Sequence, residues 1–564
     1  MLFRLLIKKH YFFILLILAG NIFISAGQTA SFQWAKSIGG TGADHAIAVA
    51  LDPLNNVYFT GDFMNTVDFD PGPGTYNLTS TSVQDSYVCK LDNNGNFLWA
   101  CDIGGVANDL GYSIAANSSG VYMTGHFYGT VDFDPGPGIF NLTSNGLRDI
   151  FIVKLSAAGN FQWAVSLGST NQDIPSDITV DEGFVYLTGI TDLTVDFDPG
   201  PGVYNMTTNS FILKLTSGGT FVWAKAIVNS SSDPSCIVLD SAGFIYTAGL
   251  FSGPGDFDPG PGSYVLSGGL NPYGFISKLD PSGNLVFARE FGKYNNDPPE
   301  VFAIGVDHNS NIYVTGGLYD TIDFDPGPGI YDIAPVAGAL DIYILKLDAG
   351  GNFDWVKHFN GTGTSEGYSL AIDNWNNVYT AGHFMNTIDF DPGTPVAPMS
   401  SYGGFDSYVL MLDSSGSYIW SKQMGGAGLD DAISLTVDEA ANIYISGNFN
   451  GTGDYDPGSG SYYLYCAGSI DMFVEKLGSL GVGIPNAPVK DNLVLFPNPS
   501  AGKIHISSGH TITDISVYNS NGNLVSHSGS CTEIDLTSCS NGIYFVRISD
   551  ATIGNISEKI ILQR

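Results

Sequence analysis

Pairs of aspartates separated by one aromatic residue recur seven times along this chain of 564 residues: Asp68 and Asp70, Asp132 and Asp134, Asp196 and Asp198, Asp256 and Asp258, Asp323 and Asp325, Asp389 and Asp391, and Asp454 and Asp456. Each pair runs straight into Pro-Gly, as in VDFDPGPG from Val67 to Gly74. In an extended segment alternate side chains share a face, so both carboxylates point one way and the ring the other. Two hard oxygen donors on a stiff turn make a candidate calcium site, with turn carbonyls and water completing a six-to-eight coordinate shell. They are equally the makings of a rigid loop whose carboxylates accept backbone amide bonds while the ring plugs a sheet edge. No bidentate Glu ends the motif as it would an EF-hand loop, and proline makes a different turn. Calcium, if bound, would order the loops by neutralising adjacent carboxylates.

Other chemistry has less to build on. The chain holds no HExxH, GxSxG or GxxxxGK pattern, and its nine histidines recur at no repeat position. No catalytic residue is named, and an enzyme is the less favoured expectation. A formal charge of -34 repels a phosphate backbone, which argues against nucleic acid as a partner.

The elements that must carry these motifs follow from their spacing. The leading aspartates lie 60 to 67 residues apart, a period of repeat architectures. With 71 Gly, 27 Pro and only 21 Lys plus Arg, the composition describes short strands and tight turns. In the second repeat, apolar alternation over Tyr112 to Ala116, Val121 to Thr124, Phe151 to Leu155 and Phe161 to Ala164 gives four strands, the content of a propeller blade. A ring marks the outer strand of every repeat: Trp34, Trp99, Trp163, Trp223, Phe287, Trp355 and Trp420. These rings are read as packing between blades. Tyr58 and its six equivalents each stand ten residues before a motif aspartate, which ties strand register to the long loop. An acidic residue follows the outer strand (Asp44, Asp109, Asp173, Asp233, Asp297, Glu366 and Asp430) and is read as a brace for turn amides. Third-strand lysines Lys90, Lys154, Lys214, Lys278, Lys346 and Lys476 are placed to answer those acids, with Met411 in the sixth position.

The first repeat opens on an outer strand, Phe32 to Lys36, and the seventh ends on a third strand, Asp471 to Leu477. Pairing the two completes one blade and hides both edges. The expectation is an all-β protein, a seven-bladed β-propeller closed by an N-terminal strand and followed by a small β-sandwich domain. The markers Gly39, Gly40, Asp44, Asp52, Asn56, Val57, Tyr58, Thr60 and Gly61, and again Gly425, Gly426, Asp430, Asp438, Asn442, Ile443, Tyr444, Ser446 and Gly447, resemble bacterial seven-bladed β-propeller repeats of exported proteins. That resemblance implies a fold and leaves activity open.

Residues 1–27 show the basic, apolar and small-residue order of a signal peptide. Residues 28–477 hold the repeats, 478–490 form a linker, and 491–564 turn to a new β-rich pattern. No other segment has the apolar length to span a bilayer. Leu495, Phe496, Pro497, Asn498, Pro499, Gly502, Val517, Tyr518, Gly522, Gly542, Ile543 and Tyr544 resemble the C-terminal sorting domain of the type nine secretion pathway of Bacteroidetes. The resemblance implies recognition by the secretion machinery and a destination that is secreted or attached to the outer cell surface. Cys531 and Cys539 are candidates for a disulfide; Cys89 and Cys101 lie on two arms of a hairpin, where pairing depends on register. The function expected is binding or adhesion at the surface, with a glycan or a surface protein as partner. The alternative is a secreted polysaccharide hydrolase or lyase.

Overall fold

The computed structural model describes residues 29–228, 231–293, 297–336, 338–394 and 396–480, and in the C-terminal part 494–496, 500, 502–507, 512–519, 524–529, 533–550 and 554–562. Residues 1–27, expected to be a signal peptide, residues 481–490 of the expected linker, and Cys531 lie outside these.

The first repeat forms an antiparallel sheet of His45–Leu51, Val57–Phe63, Asp85–Leu91 and Phe97–Ile103, paired in chain order. Five more repeats do the same, with first strands Leu110–Asn117, Asp173–Val180, Ser231–Leu239, Ala303–Val306 and Ser365–Ile372. The last repeat supplies Asp430–Val437, Ile443–Phe449 and Asp471–Leu480, and its fourth strand is Thr29–Ile38 from the other end of the chain. Phe32 stands opposite Leu477 and Lys36 opposite Val474. The third strand runs on to Leu480, past the point where the repeat pattern ends. Among the described residues no sheet rolls into a barrel; the architecture is a β-propeller-like array of four-stranded sheets.

Second and third strands are apolar on both faces because each sheet is covered on both sides. Every residue of Val57–Phe63 and of Asp341–Leu347 is buried. Seven apolar cores lie between neighbouring sheets, and one joins the last sheet to the first: Ile38, Tyr444, Met472 and Val474 pack with Val57, Phe59 and Tyr87.

Four strands per repeat is an undercount. Each aspartate motif folds into a short hairpin of its own, such as Thr66–Asp68 with Asn77–Thr79, held at its base by the Thr66 and Thr79 hydroxyls 2.8 Å apart. Several of these hairpins also pair with the exit of the preceding sheet, through Gly39 with Asp68, Gly105 with Val131, Gly361 with Ile388 and Gly425 with Asp454. The alternating pattern of three residues is too short to read as a strand in sequence, and its partner across the loop is set only by the turn.

In the C-terminal part, Val494–Phe496, Lys503–Ser507 and Glu533–Asp535 make one sheet. Ile512–Asn519, Leu524–Gly529, Gly542–Asp550 and Gly554–Leu562 make another. Ile504, Ile506, Ile515, Val517, Ile534, Tyr544 and Val546 fill the space between them.

Candidate binding surfaces and central cavity

The first strands of all seven sheets line one cavity of about 560 Å³. A β-bulge in six of these strands turns an extra residue into it, among them Ile47, Tyr112, Ser176, Tyr368 and Ile433. The next residue reaches to the neighbouring sheet. Ser113 accepts from the Ile178 N–H, Asp177 from the Ile237 N–H, Ser369 from the Leu435 N–H and Ser434 from the Val49 N–H. Asp177 also accepts the Ser113 hydroxyl at 2.7 Å. Among the described residues it is the one carboxylate on the wall, and burial pushes its pKa up to about 6 against the amide and hydroxyl bonds that favour the charged form.

The motif aspartates share one geometry in all seven hairpins. The first carboxylate accepts the N–H of the second aspartate and of the residue eight positions on: Asp68 takes Asp70 N at 3.1 Å and Tyr76 N at 2.7 Å. Asp132, Asp196, Asp256, Asp323, Asp389 and Asp454 repeat this with Phe140, Tyr204, Tyr264, Tyr331, Ala397 and Tyr462. The second carboxylate accepts a glycine N–H two residues on, as Asp70 does from Gly72 at 2.8 Å, and Asp134, Asp198, Asp258, Asp325, Asp391 and Asp456 likewise. The ring between them is fully buried: Phe69 packs on Phe63 and Tyr87. Backbone amides thus account for one oxygen of each carboxylate and for the loop's shape. A cation would have to take the second oxygens. Among the described residues no group of three or more His, Cys, Asp or Glu is placed to hold a metal ion.

The outer-strand rings cover the next sheet's turn. Trp34, Trp99 and Trp163 donate their indole N–H to Asn93, Ala157 and Ser217 carbonyls. Gly95, at φ +76°, sits against the Trp34 ring, where a Cβ would come within 2.8 Å. The third-strand lysines go to the same turns and not to the acidic residues after the outer strand. Lys90 bonds Ala157 O, Lys154 Ser217 O, Lys214 Pro281 O and Lys346 Ser414 O, each ammonium standing over a second-strand tyrosine ring. Met411 breaks the series for a physical reason: the seventh sheet joins two chain ends, so it has no turn there for a lysine to reach. The recurring tyrosines likewise serve the opposite end from the long loop. Tyr58, Tyr246, Tyr313 and Tyr379 donate their hydroxyls to Asp52, Asp240, Asp307 and Asp373 in the first turn of each sheet.

Acidic braces are real at Asp44, Asp109, Asp173 and Asp430, which are buried and accept amide N–H groups from the preceding turn. Burial holds Asp109 and Asp430 up at about 7. Asp233 and Glu366 do not belong with them. The brace register, opposite Thr191 in the third sheet, falls on Ser232 and Ser365 in the fourth and sixth. A one-residue offset sends a side chain to the other face of a sheet. A second set of braces went unread in the sequence: Asp85, Asp149, Asp341, Asp406 and Asp471 open third strands and accept amides of the turn before them. Their signal was a conserved-spacing Asp at the start of the apolar strand. Cys89 and Cys101 are free and buried, facing Ala100 and Val88 and not each other.

Residues 494–563 match the family described as the secretion system C-terminal sorting domain. The protein is exported, to the cell surface or beyond it. No helix among the described residues is long and apolar enough to cross a membrane. The chain is similar to an uncharacterized WD repeat-containing protein, L264, of Acanthamoeba polyphaga mimivirus, 23% identical over 75% of this chain and 36% of that protein. It is also similar to the regulatory protein FlaEY of Caulobacter vibrioides, 24% identical over 36% of this chain and 20% of that one. This chain therefore spans about a third or less of either relative. Among solved structures, Sqt1 of Chaetomium thermophilum aligns over 85% of this chain and 97% of its own at 10% identity and a TM-score of 0.32. Latent PorU of Porphyromonas gingivalis aligns over 95% and 34% at 10% identity and a TM-score of 0.11.

Proposed function

We propose that the seven sheets are the blades of a closed propeller and that the protein acts at the cell surface as a binding or adhesion module. Support for closure comes from the count of interfaces: an open row of seven sheets has one core fewer than sheets, whereas here a core also joins the last to the first. The secretion machinery is the partner of the C-terminal domain.

One observation carries the binding reading. Six motif hairpins hold a ring at the same place, Tyr76, Phe140, Tyr204, Tyr264, Tyr331 and Tyr462, each 37% to 45% exposed. One face of the ring is packed, Tyr76 on Phe97 at 5.0 Å and Tyr204 on Phe221 at 5.1 Å, and the rest stands in solvent. Rigid half-exposed rings repeated around a rim suit sugar faces or apolar patches of a surface protein, and repetition multiplies weak contacts. A glycan array and a panel of surface proteins test this. Binding that falls stepwise as Tyr76, Tyr204 and Tyr331 are changed to Ala supports it, and binding indifferent to all three removes it. Calcium at the motif carboxylates would stiffen the same hairpins.

The second reading, a polysaccharide hydrolase or lyase, has in its favour Glu300 and Glu366, two carboxyls brought together at one end of the first strands. Polysaccharide cleavage that is lost in Glu366→Gln would establish it.

A further inference from the structure

Sheets four to seven each place an acid at the same register, in or just before the first strand and one step in from the brace position, Asp233 opposite Leu250 in the fourth, and the last three of these acids gather with His383. Glu300 lies opposite Gly317, Glu366 opposite His383 and Asp431 opposite Asn448. The structure brings them together: the charges of Glu366 and His383 both bear on Glu300, which burial first and Glu366 second push up to about 7. Polar atoms here lack partners. Glu300 Oε2 and His383 Nε2 are buried without a hydrogen bond, and His383 is only 6% exposed. His383 Nδ1 lies 2.9 Å from Asp431 Oδ1, outside hydrogen-bond geometry. Unsatisfied buried groups call for an explanation, and where they open on a cavity a bound ligand is one.

Rings complete the walls. Tyr368 packs edge-on to His383 at 5.2 Å and to Phe302 at 5.2 Å, and both Tyr368 and Phe302 line the central cavity. Tyr319, half exposed, has its hydroxyl pKa raised by burial first and then by the charges of Glu300, Glu366 and Asp297. Glu300 and Asp431 each keep an oxygen without a donor, while Glu366 interacts with the Tyr368 hydroxyl; carboxylates set so among aromatic faces are the complement of a cationic nitrogen, which gives hydrogen bonds to the oxygens and lies over the rings.

We propose that Glu300, Glu366 and Asp431, with Tyr368, Phe302 and Tyr319, bind an organic cation, the ammonium of an amino sugar or the guanidinium or ammonium of a basic amino acid. The acidic surface would draw such a ligand in. The site is separate from the rim rings, so each can fail without the other.

Isothermal titration of the mature protein with glucosamine and with L-arginine amide tests it, with N-acetylglucosamine and citrulline amide as uncharged controls. The expected result is saturable binding of at least one cation and not of its control. Affinity should fall about tenfold or more in Glu366→Gln and in Glu300→Gln, both with unchanged thermal midpoints near neutral pH, and hold in Asp68→Asn. Glucosamine alone would assign an amino sugar, arginine amide alone a basic amino acid. Absence of saturable binding by both cations, equal binding of the neutral controls, or full affinity in Glu366→Gln would overturn the proposal.

Discussion

The Ser434 hydroxyl accepts a hydrogen bond from the Val49 N–H at 3.2 Å, across 385 residues of chain. It joins the first strand of the last sheet to the first strand of the first, in the same sense in which Ser113, Asp177 and Ser369 join their own successive neighbours. Changing Ser434 to Ala leaves that N–H unpartnered where the two sheets meet and is expected to cost about 1–3 kcal/mol, read from denaturant unfolding. An equal cost for a serine facing solvent would deny the bond its role.

Glu475 is a defect built into the closing sheet. It is fully buried, and neither carboxyl oxygen has a hydrogen-bond partner. The equivalent third-strand position holds Cys89, Val153, Leu213, Ser277, Leu345 and Leu410 in the other sheets. Burial holds its pKa well up, with Asp456 and Asp454 adding to the effect. Glu475→Leu is expected to stabilise the fold by about 1–3 kcal/mol at neutral pH, the desolvation cost recovered. A destabilised variant would mean that the carboxyl has a partner.

The motif aspartates separate shape from charge. Asp68→Asn keeps the oxygen that accepts the Asp70 and Tyr76 amides, so its midpoint should stay near wild type. Asp68→Ala orphans both amides and should cost about 1–2 kcal/mol. Phe69→Ala empties a buried site and should cost about 3–5 kcal/mol. Equal losses in the Asn and Ala variants would place the aspartate's value in its charge.

Calcium stabilisation, if the second oxygens hold the ion, should raise the thermal midpoint more in millimolar calcium than in sodium chloride of equal ionic strength, and Asp70→Asn with Asp68→Asn should shrink the difference. Equal shifts in both salts would reduce the effect to screening of a charge of -34.

Stability should fall as pH rises from about 4 to about 7. Asp109 and Asp430 titrate near 7 when folded and near 3.9 when unfolded, so the folded state holds more protons in that window. Their contribution is fully present below about pH 4 and is lost as pH climbs through 7. Asp430→Asn, followed by denaturant unfolding across this range, should flatten the slope, and an unchanged slope would remove Asp430 from the account.

Repetition made the sheets legible. Seven copies of one phrase showed the strands, and the two unfinished ends showed that Phe32 to Lys36 belongs beside Asp471 to Leu477. Side-chain direction was harder, because it turns on single-residue register. Glu366 looked like a brace by its place after the outer strand, yet Ser365 holds the brace register and Glu366 stands opposite His383, one step on. Lys90 looked like a partner for the acid after the outer strand, Asp44, and instead pairs with Asp52 in the first turn and reaches Ala157 in the next repeat. The cluster of Glu300, Glu366 and Asp431 was not legible as a cluster, since it forms only where neighbouring sheets set one register position side by side.

Hydrogen exchange of the intact protein tests the closed ring most directly. Amides of Thr29–Ile38 and Asp471–Leu480, paired along their whole length, should exchange as slowly as the core strand Val57–Phe63 and be released together with it in global unfolding. Exchange of these two segments within seconds to minutes, while Val57–Phe63 stays protected, would show an open array and contradict the fold on which the binding surface is built.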